Sequence, residues 1–521
     1  MASITIVSGL LLPLFFIYTT LYFWTRQYNR RAAHFWHTLR IPAVGVQDDA
    51  WLRAIFWSVT RSATYAFEGY QRFSLRNLVF VAPSTGCGAI VVLPPSHLNV
   101  LNKSENELQA FHVQLESHQP RYTMGDPEVW GSMLHYDVVR NQLSKDVGHF
   151  VRMTDEELAA GFRDYCGRSS DWATVNLWDV CTKVIARAGN RAFVGLPLCR
   201  DETLLEQTRV YATNVYGCAT VITALPPILQ PVLGHLIALP AQWSLYKCKK
   251  ILIPFVQERL DMLQRGSDDM PNDVLQWLIQ RCAKAGPKQT VPGKVAERLL
   301  ILNLVSIFTT TFTFSNCILD LYSSANRDDF LAGLRAECDK SAALHNGLLT
   351  KTAIDQLYRV DSTIRESMRT SMFGIIALFR EVAPGTELDL NNGIRIPSGV
   401  RIGVPCQPIH YDESRYCNAS EFDAFRFSRA FEGPCDATGG SRSQKLSVDL
   451  DESFLTYGYG RHACPGRWLA SQIMKQALAH LVQNYDVEVV EPVPERKALL
   501  NMILPPVGAQ IRVRPRSSLR N

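Results

Sequence analysis

The segment Phe454 to Ala470, FLTYGYGRHACPGRWLA, constrains the fold more than any other part of the 521-residue chain. Gly458, Gly460 and Gly466 let a backbone turn tightly and pass close to whatever lies beside Cys464. Pro465 stands where a helix can begin, and Leu469, Ile473, Ala477 and Leu481 follow at helical spacing. Cys464 is thereby set at a helix N-terminus, where free N–H groups and the helix dipole favour a thiolate. Three uses of that thiolate are open. A nucleophile needs a base, and His462 is two residues away; a zinc site needs three more ligands, which no nearby spacing supplies. A haem ligand needs only a loop that approaches the porphyrin and a polar or cationic side chain for a propionate.

With 47% hydrophobic and 20% charged residues, the chain has material for a large core and is neither disordered nor fibrous. No Gly/Ser/Pro-rich linker divides it after residue 50, so we expect a membrane anchor at 1–25, a basic, proline-bearing connector at 26–50 and one catalytic body at 51–521. A net charge of +5, without basic runs interleaved with aromatics, excludes nucleic acid as a probable class of partner. The thirteen cysteines are odd in number and lack a C-x-x-C pair, which argues against a disulfide framework or structural zinc. Most are expected to be reduced and buried.

No charged side chain occurs between Met1 and Thr25, and Ile4 to Trp24 is rich in Leu, Ile, Phe and Tyr. A helix over that run is about 32 Å long, enough to cross a bilayer. Arg26, Arg30 and Arg31 follow at once, so the positive-inside rule puts the bulk of the chain in the cytosol. A cleaved secretory peptide fits less well, for want of a basic leader and an A-x-A-like site. The apolar run Ile301 to Phe314 is broken by Asn303, Ser306 and four threonines, and reads as a buried helix of a soluble body.

From Trp51 to Tyr358 helical spacing predominates, with turns at Pro226-Pro227, Gly266-Ser267 and Gly286-Pro287. Strand signals are few before residue 380 and then cluster at 387–390, 394–396 and 400–404, separated by Asn391-Asn392-Gly393 and Pro397-Ser398-Gly399, as in a small β meander. Residues 428–452 are Gly/Ser/Asp-rich and aperiodic, an irregular excursion. The fold class is mainly α with a small β region.

Tyr457-Gly458-Tyr459-Gly460-Arg461-His462-Ala463-Cys464-Pro465-Gly466 resembles the haem-binding signature of the cytochromes P450, F-G-x-G-x-R/H-x-C-x-G, at each main position except the first. Tyr457 keeps an aromatic ring there and adds a hydroxyl that needs a partner. The resemblance implies the cytochrome P450 fold, with haem b ligated by Cys464 and a propionate facing His462. Glu366-Ser367-Met368-Arg369, by itself an ordinary exposed helix pair, resembles the family's E-x-x-R. Phe422 to Phe427 is similar to its F-x-P-x-R-F, with Ala424 for the proline. The family's buried ionic triad then falls on Glu366, Arg369 and Arg426, residues that support folding. Arg380 sits where the family often has a propionate-binding arginine, with a surface strand residue as the plain alternative. Tyr136 to Val147 resembles the haem-contacting helix of fungal members, which gives Arg140 to a propionate and Tyr136 to a frequent tryptophan.

Val305 to Thr310 resembles the central oxygen-binding helix, A/G-G-x-D/E-T-T/S, with Thr309 as the water-ordering threonine and Phe308 in the place of the acid. The plain alternative has Thr309 bonding back to a carbonyl one turn earlier. Together the resemblances imply a fungal-type haem-thiolate monooxygenase of secondary metabolism, of a terpenoid or alkaloid pathway, single-pass in the endoplasmic reticulum membrane and fed by an NADPH-cytochrome P450 reductase. No dinucleotide fingerprint is visible in the chain itself. Arg461, Arg467 and Lys475 are candidates for a reductase-docking face, with a solvated helix face as the alternative for the last two. The apolar stretches Ile301 to Thr309 and Phe373 to Phe379 imply a lipophilic small-molecule substrate. A rearrangement, desaturation or dehydration, which Phe308 would permit, and a haem sensor without turnover are the rival functions.

Overall fold

The computed structural model describes residues 2–167, 170–391, 393–432 and 445–516, without the side chains of residues 2–18. The expected anchor therefore lies, in its side chains up to residue 18, outside the described residues. Much of the predicted excursion at 428–452 lies outside them too. Packing divides the chain into two compact units, one formed by Met1–Val113, Gly374–Pro408 and Ala498–Met502, the other by Gln114–Phe373, Ile409–Lys497 and Ile503–Asn521.

The first unit carries helices α1 (Ala2–Thr38) and α2 (Trp51–Arg72). Helix α1 runs without a break through residues 26–38, assigned from the sequence to a connector. The strands are β1 (Phe80–Ser84), β2 (Gly88–Val92), β3 (Leu108–Gln109), β4 (Ala377–Val382), β5 (Glu387–Asp389), β6 (Arg395–Pro397) and β7 (Arg401–Val404). A five-stranded sheet has the order β1-β2-β7-β4-β3. Strands β1 and β2 form a hairpin that the sequence did not announce. Its residues are buried on both faces, so no alternation marks them.

The expected meander is only half right. Strands β5 and β6 pair, with Leu388 opposite Ile396. β7 does not join them. It inserts between β2, parallel with Val91 opposite Ile402, and β4, antiparallel with Glu381 opposite Arg401. Gly399 (φ 78°) turns the chain away from β6, and Ile402, Gly403 and Val404 are buried, a pattern that suits an interior strand.

The second unit is mainly helical, with one three-stranded sheet of Ala173–Asn176, Gln510–Pro515 and Tyr485–Val489. Its principal helices are α3 (Leu134–Val138), running into a π turn at Val139–Leu143, then α4 (Val151–Cys166), α5 (Leu177–Phe193), α6 (Glu202–Ala224), α7 (Leu239–Gln264), α8 (Val274–Lys284), α9 (Pro292–Tyr322), α10 (Arg327–His345), α11 (Tyr358–Thr370) and α12 (Arg467–Asn484). Side chains of Asn176, Asp201 and Asp273 cap α5, α6 and α8 by accepting backbone N–H groups of the first turn. Proline opens α9, where its missing N–H costs nothing. Among the described residues α9 is the one helix long and apolar enough to cross a membrane, yet 78% of its apolar window is buried in the protein, as expected of a core helix. Within it Val305, Ser306, Thr309 and Thr313 form a stripe at helical spacing that keeps accessible surface, with Phe308 beside it.

Candidate active site

Cys464 lies in a tight loop built by backbone. Gly458 (φ 89°) and Gly460 (φ 63°) adopt left-handed conformations that a side chain would strain, and a Cβ on Gly458 would meet Ala463 Cα at 3.3 Å. Cys464 N–H donates to Tyr457 O at 2.8 Å, and Ala463 N–H to Gly460 O at 3.2 Å across a 3₁₀ turn. Gly466 is different from the expectation: its φ is −82°, and a Cβ would stand at ordinary contact distance, 4.0 Å from Cys464 Sγ and from Val139. None of the described residues demands glycine there. Helix α12 starts at Arg467, two residues beyond Pro465.

The sulfur is enclosed by the fold yet keeps accessible surface, so it faces a recess. Burial raises the thiol pKa above its ordinary value, and outweighs the lowering by the N–H groups of Gly466 and Arg467 and by the Arg467 charge. The helix start alone therefore does not produce the expected thiolate; a metal ion at the sulfur does so outright. The donor set fits an iron carried by a porphyrin. One sulfur stands alone, and among the described residues no group of three His, Cys, Asp or Glu side chains is placed to hold a bare metal.

Around the loop, His462 accepts from Arg461 Nε at 3.2 Å and is half-buried. Arg140 is exposed on the π turn, and Ser144, just after that turn, donates to Pro465 O at 2.9 Å, tying the two segments together. Burial pushes Tyr136 up to about 12. The Tyr457 hydroxyl is buried with no hydrogen-bond partner among the described residues.

The structure brings Glu366, Arg369 and Arg426 together. Glu366 and Arg369 are fully buried and joined by two hydrogen bonds of 2.8 Å, and Arg426 Nε reaches Glu366 at 2.9 Å. Arg369 further donates to His410 O at 2.7 Å and Ala419 O at 2.6 Å. No sequence motif pointed to His410. Its Nε2 accepts the Leu455 N–H at 2.9 Å, which leaves Nδ1–H to donate to Arg369 O at 3.2 Å, and its ring stacks on Phe454. Burial holds this imidazole neutral, with its pKa lowered to about 3. One histidine thus links the ion cluster to the start of the cysteine loop; a lone histidine in a P-I-H context carries no motif by which it could have been found.

Helix α9 carries the other candidate. Thr309 Oγ1 donates to Val305 O at 2.8 Å, the plain alternative, while its side chain remains exposed on the stripe. Phe308 stacks on Tyr216 of α6 at 4.3 Å and meets Trp178 of α5 edge-on at 5.5 Å. The apolar lining expected over Ile301 to Thr309 shrinks, because Ile301, Leu302 and Leu304 are buried core. Phe373 packs on Phe312 of α9.

Two further expectations are corrected. Lys475 is not on a docking or solvated face; it is 3% exposed and 3.7 Å from Asp361, because the α12 face it occupies packs inside the unit. Arg380 is not a surface strand residue: it is buried in β4 of the first unit, with Nη1 donating to Phe379 O at 2.8 Å.

A helical unit with one cysteine on a glycine-built loop before a helix, braced by a buried Glu–Arg pair, is the polypeptide half of a haem-thiolate protein. The family model "Cytochrome P450" matches residues 201–513. The chain is 35% identical to the cytochrome P450 monooxygenase gloP of Glarea lozoyensis over 98% of its own length and 96% of that protein. It is also 35% identical to the monooxygenase htyF of Aspergillus rugulosus, over 90% of this chain and 71% of the relative. Its fold is similar to that of retinoic acid bound cyanobacterial CYP120A1, with a TM-score of 0.64 at 14% identity, over 91% of this chain and 99% of that one. The chain belongs to the cytochrome P450 family; it is a haem monooxygenase whose iron is ligated by a cysteine thiolate.

Proposed function

We propose that this chain inserts one atom of dioxygen into a lipophilic small molecule of fungal secondary metabolism, with Cys464 as the residue that would hold the haem iron. The overall balance is RH + O₂ + NADPH + H⁺ → ROH + H₂O + NADP⁺, the electrons arriving from an NADPH-cytochrome P450 reductase. The observation that carries this reading is the Cys464 loop, with two backbone N–H groups turned to one accessible sulfur. When bound, the haem supplies the activation of dioxygen and the transfer of its oxygen. Cys464 would hold the iron and give it electron density. Gly466 and Arg467 N–H groups steady the sulfur's charge, and the Glu366–Arg369–Arg426 cluster fixes the loop through His410. His462 and Arg140 are the candidates to meet the propionates. Thr309 orders water beside the substrate, without a carboxylate at position 308.

The localisation proposed is the endoplasmic reticulum membrane, with Ile4 to Trp24 as a single-pass anchor and the catalytic body in the cytosol. Support comes from the uncharged run and the arginines that follow it. Phe308 keeps rearrangement or dehydration as the second reading. The test is incubation of the full chain, reductase and NADPH with a fungal metabolite extract under labelled dioxygen. One product that gains a single labelled oxygen is expected; products altered without label would favour the second reading.

A further inference from the structure

Next to the α9 stripe, the stacked ring of Tyr216 ends in a hydroxyl whose hydrogen-bond direction can be worked out. Ser117 has one hydroxyl proton and donates it to Gln114 O at 2.6 Å. Its oxygen, 3.1 Å from His118 Nδ1, must then accept, so Nδ1 carries the imidazole proton. Burial holds His118 neutral, with its pKa lowered to about 4, so the ring has no second N–H. His118 Nε2 is therefore a bare lone pair, and the Tyr216 hydroxyl 3.4 Å away donates to it. The Tyr216 oxygen is left with acceptor capacity only.

Two contacts fix the position of this acceptor. Tyr216 stacks on Phe308 at 4.3 Å with 28° between the rings, and Phe308 immediately precedes Thr309. Gln119 Nε2 donates to Thr223 Oγ1 at 3.1 Å, holding residues 117–119 against α6. His118 and Tyr216 are half-buried and both keep accessible surface. Beside the aromatic contact of Phe308 and Tyr216, the Tyr216 hydroxyl is a directional polar point.

We propose that Tyr216, oriented by His118, is a specificity-determining residue that accepts a hydrogen bond from a hydroxyl or N–H donor on an otherwise lipophilic substrate. This rests on the proposed use of the α9 stripe as the substrate site. A ligand presenting only an acceptor, such as an ether, would leave the Tyr216 lone pairs and its own unpaired in a desolvated place.

Equilibrium dialysis of the haem-loaded full chain tests it with two probes, 4-phenylphenol and 4-methoxybiphenyl. Wild type is expected to bind the phenol about tenfold more tightly or better, a difference of about 1.4 kcal/mol. Tyr216→Phe, which keeps the stacked ring, should bind both alike. Equal binding by wild type, or no binding of either probe, overturns the proposal. So does a preference that survives in Tyr216→Phe, since it would then come from size. The readout needs no reductase and no turnover, so a failure of the monooxygenation reading under labelled dioxygen would leave this preference intact, and the two failures are distinguishable.

Discussion

The cysteine loop and the accessible stripe of α9 are both short stretches of chain, and they are held in opposite ways. The loop is fixed from outside itself: left-handed glycines set its path, His410 binds Leu455, and the buried Glu366–Arg369 pair stands behind His410. In the stripe, Thr309 and Thr313 donate to carbonyls one turn back in their own helix. A group pinned by surrounding structure keeps one position whatever binds beside it, whereas a threonine bonded to its own helix can exchange that bond for a ligand or water. The loop is built to hold, and the stripe to respond.

The largest effect expected on the loop side comes from Cys464→Ala. The carbon monoxide difference spectrum should lose its thiolate-type absorbance completely, because no other described cysteine stands on such a loop; a retained absorbance would place the ligand elsewhere.

Glu366→Gln leaves Arg369 buried without its counter-charge, which costs about 3–5 kcal/mol. Haem content and the urea midpoint should both collapse. If instead stability holds and only turnover falls, the cluster is not the brace described above.

His410→Phe keeps the stack on Phe454 and removes the bonds to Leu455 and Arg369, a loss of about 1–3 kcal/mol for groups left unpaired. The pH dependence has a definite sign. An imidazole lowered to about 3 in the folded chain takes up a proton only on unfolding, so its contribution is present above the unfolded value of about 6.5 and is lost as pH falls from there towards 3. Wild-type melting temperature should drop over that window, and the drop should be shallower in His410→Phe. Equal slopes would show that His410 does not titrate on unfolding as described.

The smallest effect belongs to the stripe. Thr309→Val should change stability little, since the lost bond runs to its own helix, but should release several times more peroxide per product formed, because no carboxylate at 308 can take over proton supply. An unchanged peroxide-to-product ratio would reduce Thr309 to a helix-bonded threonine and blunt the contrast.

The same difference decides what could be read beforehand. Cys464 was legible because glycines and a helix start have one-residue signatures, and α9 because its length and polar interruptions mark a core helix. Glu366 and Arg369 look like an exposed pair in isolation; α11 also buries Asp361, Ser362, Thr363 and Arg365, so polarity gave no guide to its burial. His410, β1 and β2 were invisible because their roles come from partners distant in the chain or from burial on both faces. The β7 position and the interior place of Lys475 were misjudged for the same reason: neighbours across the fold, not neighbours along it, decide them.

Nine of the described cysteines are buried, and burial pushes Cys166, Cys181 and Cys248 up to about 12. A thiol with that pKa is only about one part in ten thousand thiolate at pH 8, and alkylating reagents react with the thiolate. The native fold therefore sorts its sulfurs by reactivity. Among the described residues, a maleimide added to folded protein would find Cys417 on the outside, and Cys464 wherever no iron holds it, while the core sulfurs would take up label only as the unit opens, making the pace of labelling a clock for unfolding.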